Sequence, residues 1–387
     1  MIVIDNISII VSLGVILLAI VSPLINPFFR RPKFNNPMHE NSVSDDEETK
    51  LPAISVILTP NENADALSEN LQIYLDQDYQ NFQVIVVASK GDTETEDVLK
   101  SYHDSPKLYT TFIPTTSRYM SRKKLAITLG VKAAKHEWIL MADISCKPIT
   151  NKWLEALAKN CTEQRNLIVG YTKYDDDTPD FWKFERLQTT CYLAREYQKG
   201  MGYRSITNAL LFRKSEFIAQ DGFRGNLKFI RGEYDFMINK YMHKGSIAFE
   251  SSIDGTQIEQ SPSQKHWINQ HLFYMANRKH LERSFRHRLL FLIDQAFMHI
   301  AYIGIILVLA FSIYKHLWLI TICASIALVV YLTLRMMIGK KAISLLFNGD
   351  IPTWKIIPYE LRIIWQNLSY KVRYWRANKN DFITHKI

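Results

Sequence analysis

Trp138-Ile-Leu-Met-Ala-Asp143-Ile-Ser-Cys-Lys-Pro148 is the stretch on which the fold turns. The short apolar run from Trp138 to Ala142, with charge before it and Pro148 beyond, reads as a strand buried on both faces. It hands one carboxylate, Asp143, to the loop at its C-terminal end. In open α/β sheets ligands bind at that end, and an acid placed there can hold a hard cation against phosphate oxygens. A lone acid after a strand is more often a turn former, so the neighbouring segments have to decide.

Upstream, strands and helices alternate. Ile54–Leu58 is an apolar strand, and Ala64–Gln77 has helical spacing through Leu67, Leu71 and Leu75. Gln83–Val87 reads as the next strand, about Thr95 to Tyr102 as a helix, Tyr109–Ile113 as a third strand, and Ser121–Lys135 as a helix leading into the Asp143 strand. This β-α-β-α order predicts an α/β fold with a mostly parallel, doubly wound sheet and right-handed crossovers. Downstream the pattern is less regular. Strands are expected at Leu167–Tyr171 and Asn208–Phe212, and helices at Phe181–Gln198 and Glu233–His243, with a glycine-studded loop from Gly222 to Gly232.

At both ends the composition changes. No residue from Asn6 to Phe29 is charged, and two further runs, Ala296–Ile313 and Leu317–Leu334, are separated only by Tyr314-Lys315-His316. Each run is about long enough to cross a bilayer as a helix. Arg30, Arg31 and Lys33 follow the first run; Arg286, His287 and Arg288 precede the second; Arg335, Lys340 and Lys341 follow the third. Positive charge stays on the cytoplasmic side. The expected layout is therefore an inner-membrane, multi-pass protein with its N-terminus out and its main domain and C-terminus cytoplasmic. The formal charge of +9 then points to anionic lipid as partner and needs no nucleic acid. Trp354–Tyr374 mixes aromatics with Arg362, Lys371 and Arg373 and reads as one or two amphipathic helices on the inner leaflet. The four cysteines lack metal or disulfide spacing, as suits a reducing cytosol. His39–Lys50 is polar and acidic, the composition of a loose linker. A transporter is disfavoured, because the interiors of the runs carry no Asp, Glu, Lys or Arg.

Several polar groups should gather at the edge of the sheet where strands feed helix N-termini, a place suited to a nucleotide diphosphate. Thr59 and Glu62 follow the first strand, Asp92 follows the second, and Lys123 and Lys124 open the helix before the Asp143 strand. Glu62 or Asp92 can accept hydrogen bonds from a base or ribose, and a lysine can neutralise phosphate. A second acidic focus, Arg231-Gly232-Glu233-Tyr234-Asp235, sets two carboxylates at a helix N-terminus after a glycine. Such acids are cap residues, or a general base on a rigid element. A third focus, Gln264 to Tyr274, gathers Trp267, Gln270 and His271 into an interfacial aromatic belt or an acceptor and pyrophosphate platform.

These residues carry a resemblance. Ile54–Leu58, Leu75-Asp-Gln-Asp-Tyr79 running on to Val87, Lys124–Gly130, Ala142-Asp143 and Cys146-Lys-Pro148 resemble, in order and spacing, the GT-A-fold family 2 glycosyltransferases. The membrane layout is similar to that of their membrane-bound bacterial members. The resemblance implies an inverting enzyme that passes a sugar from a nucleotide diphosphate, a UDP- or GDP-sugar, to a lipid-linked or glycan acceptor in cell-surface polysaccharide synthesis. It implies an N-terminal anchor over 1–29, a linker over 30–50, a GT-A domain over 51–285, a transmembrane hairpin over 286–336 and a basic tail over 337–387. Asp143 becomes the first acid of an Asp-x-Asp metal motif holding Mg²⁺ or Mn²⁺, and Glu62 and Asp92 fall near nucleoside-contacting positions. Glu233 takes the place of the catalytic base, with Asp235 two residues on, and Gln270 opens a segment like Gln-x-x-Arg-Trp.

The chain departs from that pattern in four places, the first being Ala88 and Ser89, where many members carry acids straight after the second strand. Ser145 replaces the second acid of Asp-x-Asp, Phe273 and Tyr274 replace Arg-Trp, and Glu233 stands where Asp is usual. Ser145 and water are left to complete a loose Mg²⁺ site, since Mg²⁺ keeps several waters. These losses also leave room for a catalytically weakened scaffold that binds nucleotide or partner enzymes in a glycan assembly complex.

Overall fold

The computed structural model describes residues 5–26, 51–60, 63–114, 121–205, 207–283, 285–346 and 351–384. Its elements begin α1 (Asn6–Ile25), β1 (Ile54–Leu58), α2 (Ala64–Leu75), β2 (Phe82–Ser89), α3 (Thr93–Lys100), β3 (Leu108–Ile113), α4 (Arg122–Ala133) and β4 (Trp138–Ala142). They continue with β5 (Cys146–Pro148), α5 (Trp153–Ala158), β6 (Leu167–Tyr174), α6 (Asp180–Gln198), β7 (Ala209–Arg213), α7 (Lys214–Ala219) and α8 (Glu233–Tyr241). The last are β8 (Ile247–Glu250), β9 (Thr256–Glu259), α9 (Gln264–Asn277), α10 (Phe285–Tyr314), α11 (Trp318–Leu345) and α12 (Ile356–Arg376). The chain divides into two compact units. One takes Met1–Pro32, Asp180–Tyr192 and Arg283–Leu368, and the other takes Lys33–Pro179, Leu193–Glu282 and Ser369–Ile387.

The second unit is an α/β domain on a mixed sheet of order β3-β2-β1-β4-β7-β6-β9-β5, with β8 also paired to β6. The first four strands of that order are parallel, as the β-α alternation requires. Because side chains alternate across a strand, the apolar runs supply two cores. Val56, Leu58, Val84, Val86, Leu140 and Ala142 face α2 and α5, burying Leu67, Leu71, Trp153 and Leu157. Ile57, Ile85, Val87, Ile139 and Met141 face α4 and α8, burying Ile127, Val131, Met237 and Ile238. This is the GT-A-like architecture that the sequence predicts. Beyond β4 the sheet turns mixed, since β7 runs antiparallel to both β4 and β6.

The first unit contains three helices long and apolar enough to cross a membrane: Asn6–Ile25, Arg288–Tyr314 and Trp318–Ser344. The two later ones reach past the expected runs at their charged ends. Small residues line their mutual contacts, with Ala19, Ala301, Ala324 and Ala327 buried beside Met298, Ile305 and Tyr331. Ile10, Leu13, Leu17, Leu307, Phe311, Ile326 and Val329 stay exposed, the face expected to meet acyl chains. Where the helices leave the apolar zone, a buried polar knot forms. Arg335 grips Glu360 through Nε at 2.8 Å and Nη2 at 3.2 Å. Asn26 donates to the same carboxylate at 2.9 Å, and Asp294 accepts the Tyr192 hydroxyl at 2.9 Å.

Candidate functional site

Strand register places the edge from which the site is built. Leu58 pairs with Ala142, so Thr59 and Asp143 leave adjacent parallel strands side by side. Two residues of α2 fix the loop after β4 from below. The Asn70 amide donates to Ile144 O at 2.8 Å, and the Tyr74 hydroxyl donates to Cys146 O at 2.7 Å. The Asp143 N–H meets Asn208 O at 3.1 Å, which ties the loop to the strand opposite. With its own backbone pinned on three sides, Asp143 has little freedom of aim.

Lys123 stands at the centre of the cluster. Its ammonium lies 2.7 Å from Asp143 Oδ2 and 3.2 Å from Glu233 Oε1, with the Tyr234 ring centroid 5.6 Å away. The three side chains are 23%, 22% and 7% exposed, respectively for Lys123, Asp143 and Glu233. Burial alone would pull Lys123 below its ordinary value, but Asp143 and then Glu233 outweigh it and hold the ammonium above. For Asp143, burial pushes up and Lys123 pushes down harder, so its carboxyl sits below the usual range. The other oxygen, Asp143 Oδ1, accepts the Ser145 N–H at 3.1 Å, and Ser145 Oγ accepts from the Asn63 amide at 3.3 Å. Glu233 Oε2 is buried and has no hydrogen-bond partner among the described residues. Glu233 opens α8 directly after Gly232, whose φ of +97° favours glycine.

The remaining expected residues divide. Asp235 is buried but turns elsewhere, accepting the Ser205 N–H at 2.6 Å. Burial pushes its carboxyl up to about 7, against the downward pull of Arg204 and of that N–H. Lys124 points away from the carboxylates of Asp143 and Lys123's cluster into the loop before α8, donating to Asn226 O at 2.9 Å and to Phe229 O. Its burial pushes the amine down to about 8. Asp92 caps α3, with Thr95 N at 3.2 Å and Thr95 Oγ1 at 2.7 Å on its two oxygens. Thr59 is buried at the end of β1, and Glu62 lies outside the described residues.

On α9, Ser263 caps the helix by accepting the His266 N–H at 3.2 Å. Trp267 is buried, and His271 stacks on Tyr370 with centroids 4.1 Å apart. Gln270 reaches Glu259 Oε1 at 3.5 Å. Burial, then Arg231, lowers His266, against the upward pull of Glu259 and Asp143. The guanidinium of Arg231 lies 5.1 Å over the Phe273 ring, and that of Arg204 lies 4.2 Å over Tyr274. Sequence reasoning gives Arg231, Arg204, Asn208 and Glu259 no role, because each meets its partners only through tertiary folding. Asn70 and Tyr74 did leave a trace: polar groups four apart on an otherwise apolar helix face.

The donor set does not fit the expected Mg²⁺ or Mn²⁺. The one loop carboxylate already carries an ammonium on Oδ2 and an N–H on Oδ1, and the nearest second carboxylate shares that ammonium. A dication entering here would face a cation held in place by two carboxylates.

Residues 55–222 match the family Glycosyl transferase family 2. No curated protein matches the sequence. Among solved structures the chain is similar to the mannosyltransferase PcManGT from Pyrobaculum calidifontis in complex with GDP-Man and Mn²⁺. That likeness has 14% identity and a TM-score of 0.52, and covers 92% of this chain and 98% of that one. The chain is also similar to S. aureus TarS 1–349 in complex with UDP-GlcNAc, at 12% identity and a TM-score of 0.42, covering 83% of this chain and 90% of that one.

Proposed function

With a glycosyl transferase family 2 domain over residues 55–222, we propose that this protein transfers a sugar from a nucleotide diphosphate donor to an acceptor hydroxyl, inverting the anomeric centre. The observation that carries this reading is Glu233: a buried carboxylate with one oxygen on Lys123 and the other unpartnered, facing the same cluster as Asp143. Its unpartnered oxygen takes the acceptor proton as the acceptor oxygen bonds to the anomeric carbon. The bond from that carbon to the diphosphate breaks, and the nucleoside diphosphate leaves with the electron pair. Attack from the face opposite the leaving group inverts the centre. Asp235 supports the Ser205 segment by accepting its N–H, and Glu233, which pairs with Lys123, takes the base role. With Trp267 buried and His271 stacked on Tyr370, Gln270 is the residue of the expected platform left to meet an acceptor.

Three candidate spans support a lipid-linked acceptor presented at the inner leaflet, in surface glycan synthesis. On α12 the residues Trp365, Leu368, Val372 and Trp375 are exposed at three-to-four spacing, among Lys371, Arg373 and Arg376, as a helix lying on anionic lipid requires.

The test is nucleoside diphosphate release by the detergent-purified full chain against UDP- and GDP-sugars. Loss of a general base costs about 10²–10⁴-fold, so Glu233→Gln should abolish release while nucleotide binding persists. Release surviving in Glu233→Gln within a few-fold refutes the assignment of the base. Binding without release from any donor, in the wild-type chain, leaves a nucleotide-binding scaffold instead.

A further inference from the structure

The cation at Asp143 belongs to the protein itself. We propose that Lys123, assisted by Arg231, neutralises the donor diphosphate in place of a divalent metal, so that this chain binds its donor without one. The inference rests on the transferase reading above and adds to it the identity of the charge at the leaving group.

Three observations support it. First, Lys123 is caged: Asp143 at 2.7 Å, Glu233 at 3.2 Å and the Tyr234 ring at 5.6 Å surround its ammonium on three sides. A dication on Asp143 Oδ2 has to displace the ammonium, and Glu233 Oε1 would then lose that partner while Oε2 has none among the described residues. Buried carboxylates stripped of their partners are strongly disfavoured. Second, the alternative metal ligands are already engaged. Ser145 Oγ accepts from Asn63, and Asp143 Oδ1 takes the Ser145 N–H. Third, a further cation stands nearby. Arg231 is exposed and immediately precedes Gly232 and Glu233, the carboxylate 3.2 Å from Lys123. Its guanidinium rests on Phe273, 5.1 Å from the ring centroid.

An ammonium and a guanidinium suit a diphosphate. Ammonium acts as a point charge, while guanidinium offers a planar fork to two oxygens. Because the lysine is still 23% exposed, a phosphate oxygen can reach it from the solvent side while Asp143 and Glu233 stay behind it. The lysine is then poised between the leaving diphosphate and the base.

The experiment is calorimetric titration of the detergent-purified full chain with UDP, GDP, CDP and dTDP, in excess EDTA and again in excess Mn²⁺. The tightest of these should bind with affinities that agree within about threefold in the two conditions. Lys123→Ala should weaken that nucleotide by tenfold or more in EDTA, as expected for a lost hydrogen bond to a charged group. Arg231→Gln, a change at an exposed side chain, should weaken it several-fold without altering the thermal unfolding midpoint. Binding that requires Mn²⁺ overturns the proposal while leaving the transferase reading intact. Metal-independent binding that neither variant disturbs overturns the roles of both cations. No binding of any of the four in either condition overturns this proposal together with the reading beneath it.

Discussion

Breaking the buried polar knot of the helical unit should destabilise the protein more than any exposed change. Arg335 and Glu360 are each about 1% exposed and joined by two hydrogen bonds, at 2.8 and 3.2 Å. Asn26 adds a third bond to Glu360, and Asp294 stands 4.0 Å from Arg335 Nη2. In Arg335→Met, Glu360 keeps only the Asn26 amide, and Asp294 loses its nearest cation. Removing one partner of a buried pair costs about 3–5 kcal/mol, because the other charge stays buried and uncompensated. Replacing both by apolar groups of similar volume is often neutral or better. Arg335→Met with Glu360→Leu should therefore recover most of the loss, and the two substitutions should be non-additive by about 2 kcal/mol or more. Unfolding in mixed detergent micelles, followed by tryptophan fluorescence, measures each corner of the cycle. If Arg335→Met lies within about 1 kcal/mol of wild type, or the double variant falls at the sum of the singles, the reasoning is refuted.

Two further predictions concern the α/β unit. Asp235 is held at about 7 by burial, above its unfolded value, so its stabilising contribution is present below about pH 4 and is lost as pH rises through 7. A shift of about 3 units at 1.36 kcal/mol each caps the loss at roughly 4 kcal/mol. Asp235→Asn should therefore gain stability over wild type between pH 4 and 8, and a difference that stays constant with pH contradicts the assignment. A Cβ on Gly232 would stand 2.3 Å from Asn277 Nδ2 at a φ of +97°, and that amide holds Arg231 O at 2.8 Å and Phe273 O at 3.1 Å. Gly232→Ala should lower stability by about 1–3 kcal/mol and slow sugar transfer by displacing Glu233. Unchanged melting and turnover would show that the loop absorbs the methyl group.

The parts of the fold legible in the sequence were those with a physical period. β1 and β4 begin and end where their apolar runs do, because strands buried on both faces read as near-continuous apolar runs; the one polar residue in β1, Ser55, is buried and accepts from the Gln83 amide at 2.9 Å. β5, β8 and β9 left no such mark. Thr256-Gln-Ile-Glu259 is polar and short, and is a strand because β6 pairs with it, a fact held by the partner. The site was half legible for a similar reason. Lys123 and Lys124 are neighbours in the sequence, yet successive helix residues point about 100° apart. Only the fold decides that Lys123 meets the carboxylates while Lys124 fastens Asn226 and Phe229. Asp92, flanked by glycine and threonine, reads equally as ligand and as cap, and its geometry is a cap's.

Conservation of local charge explains the departures better than decay does. Two carboxylates with a dication, the arrangement implied by an Asp-x-Asp motif, sum to zero. The Asp143–Lys123 pair also sums to zero, and Glu233 beside the same ammonium adds the one negative charge that the acceptor proton neutralises. On this account Ser145 is the counterpart of Lys123: an acid there, beside Asp143 and Glu233, would set a third carboxylate against one monovalent cation and leave two negative charges facing an anionic donor. The same reasoning joins Phe273 to Arg231, whose guanidinium lies over the ring that stands at the implied arginine position. Each apparent loss is then matched by a charge supplied from another element, α4 in one case and the loop before α8 in the other. A decayed site would drift without such matching, and buried Glu233 would have no reason to keep an oxygen aimed at nothing. A converse substitution follows. Ser145→Asp together with Lys123→Ala restores the two-carboxylate arrangement, and it should convert nucleoside diphosphate binding from indifferent to Mn²⁺ into dependent on it. If that double variant binds equally well in EDTA and Mn²⁺, the charges of this loop do not set the cation, and the matching is coincidence.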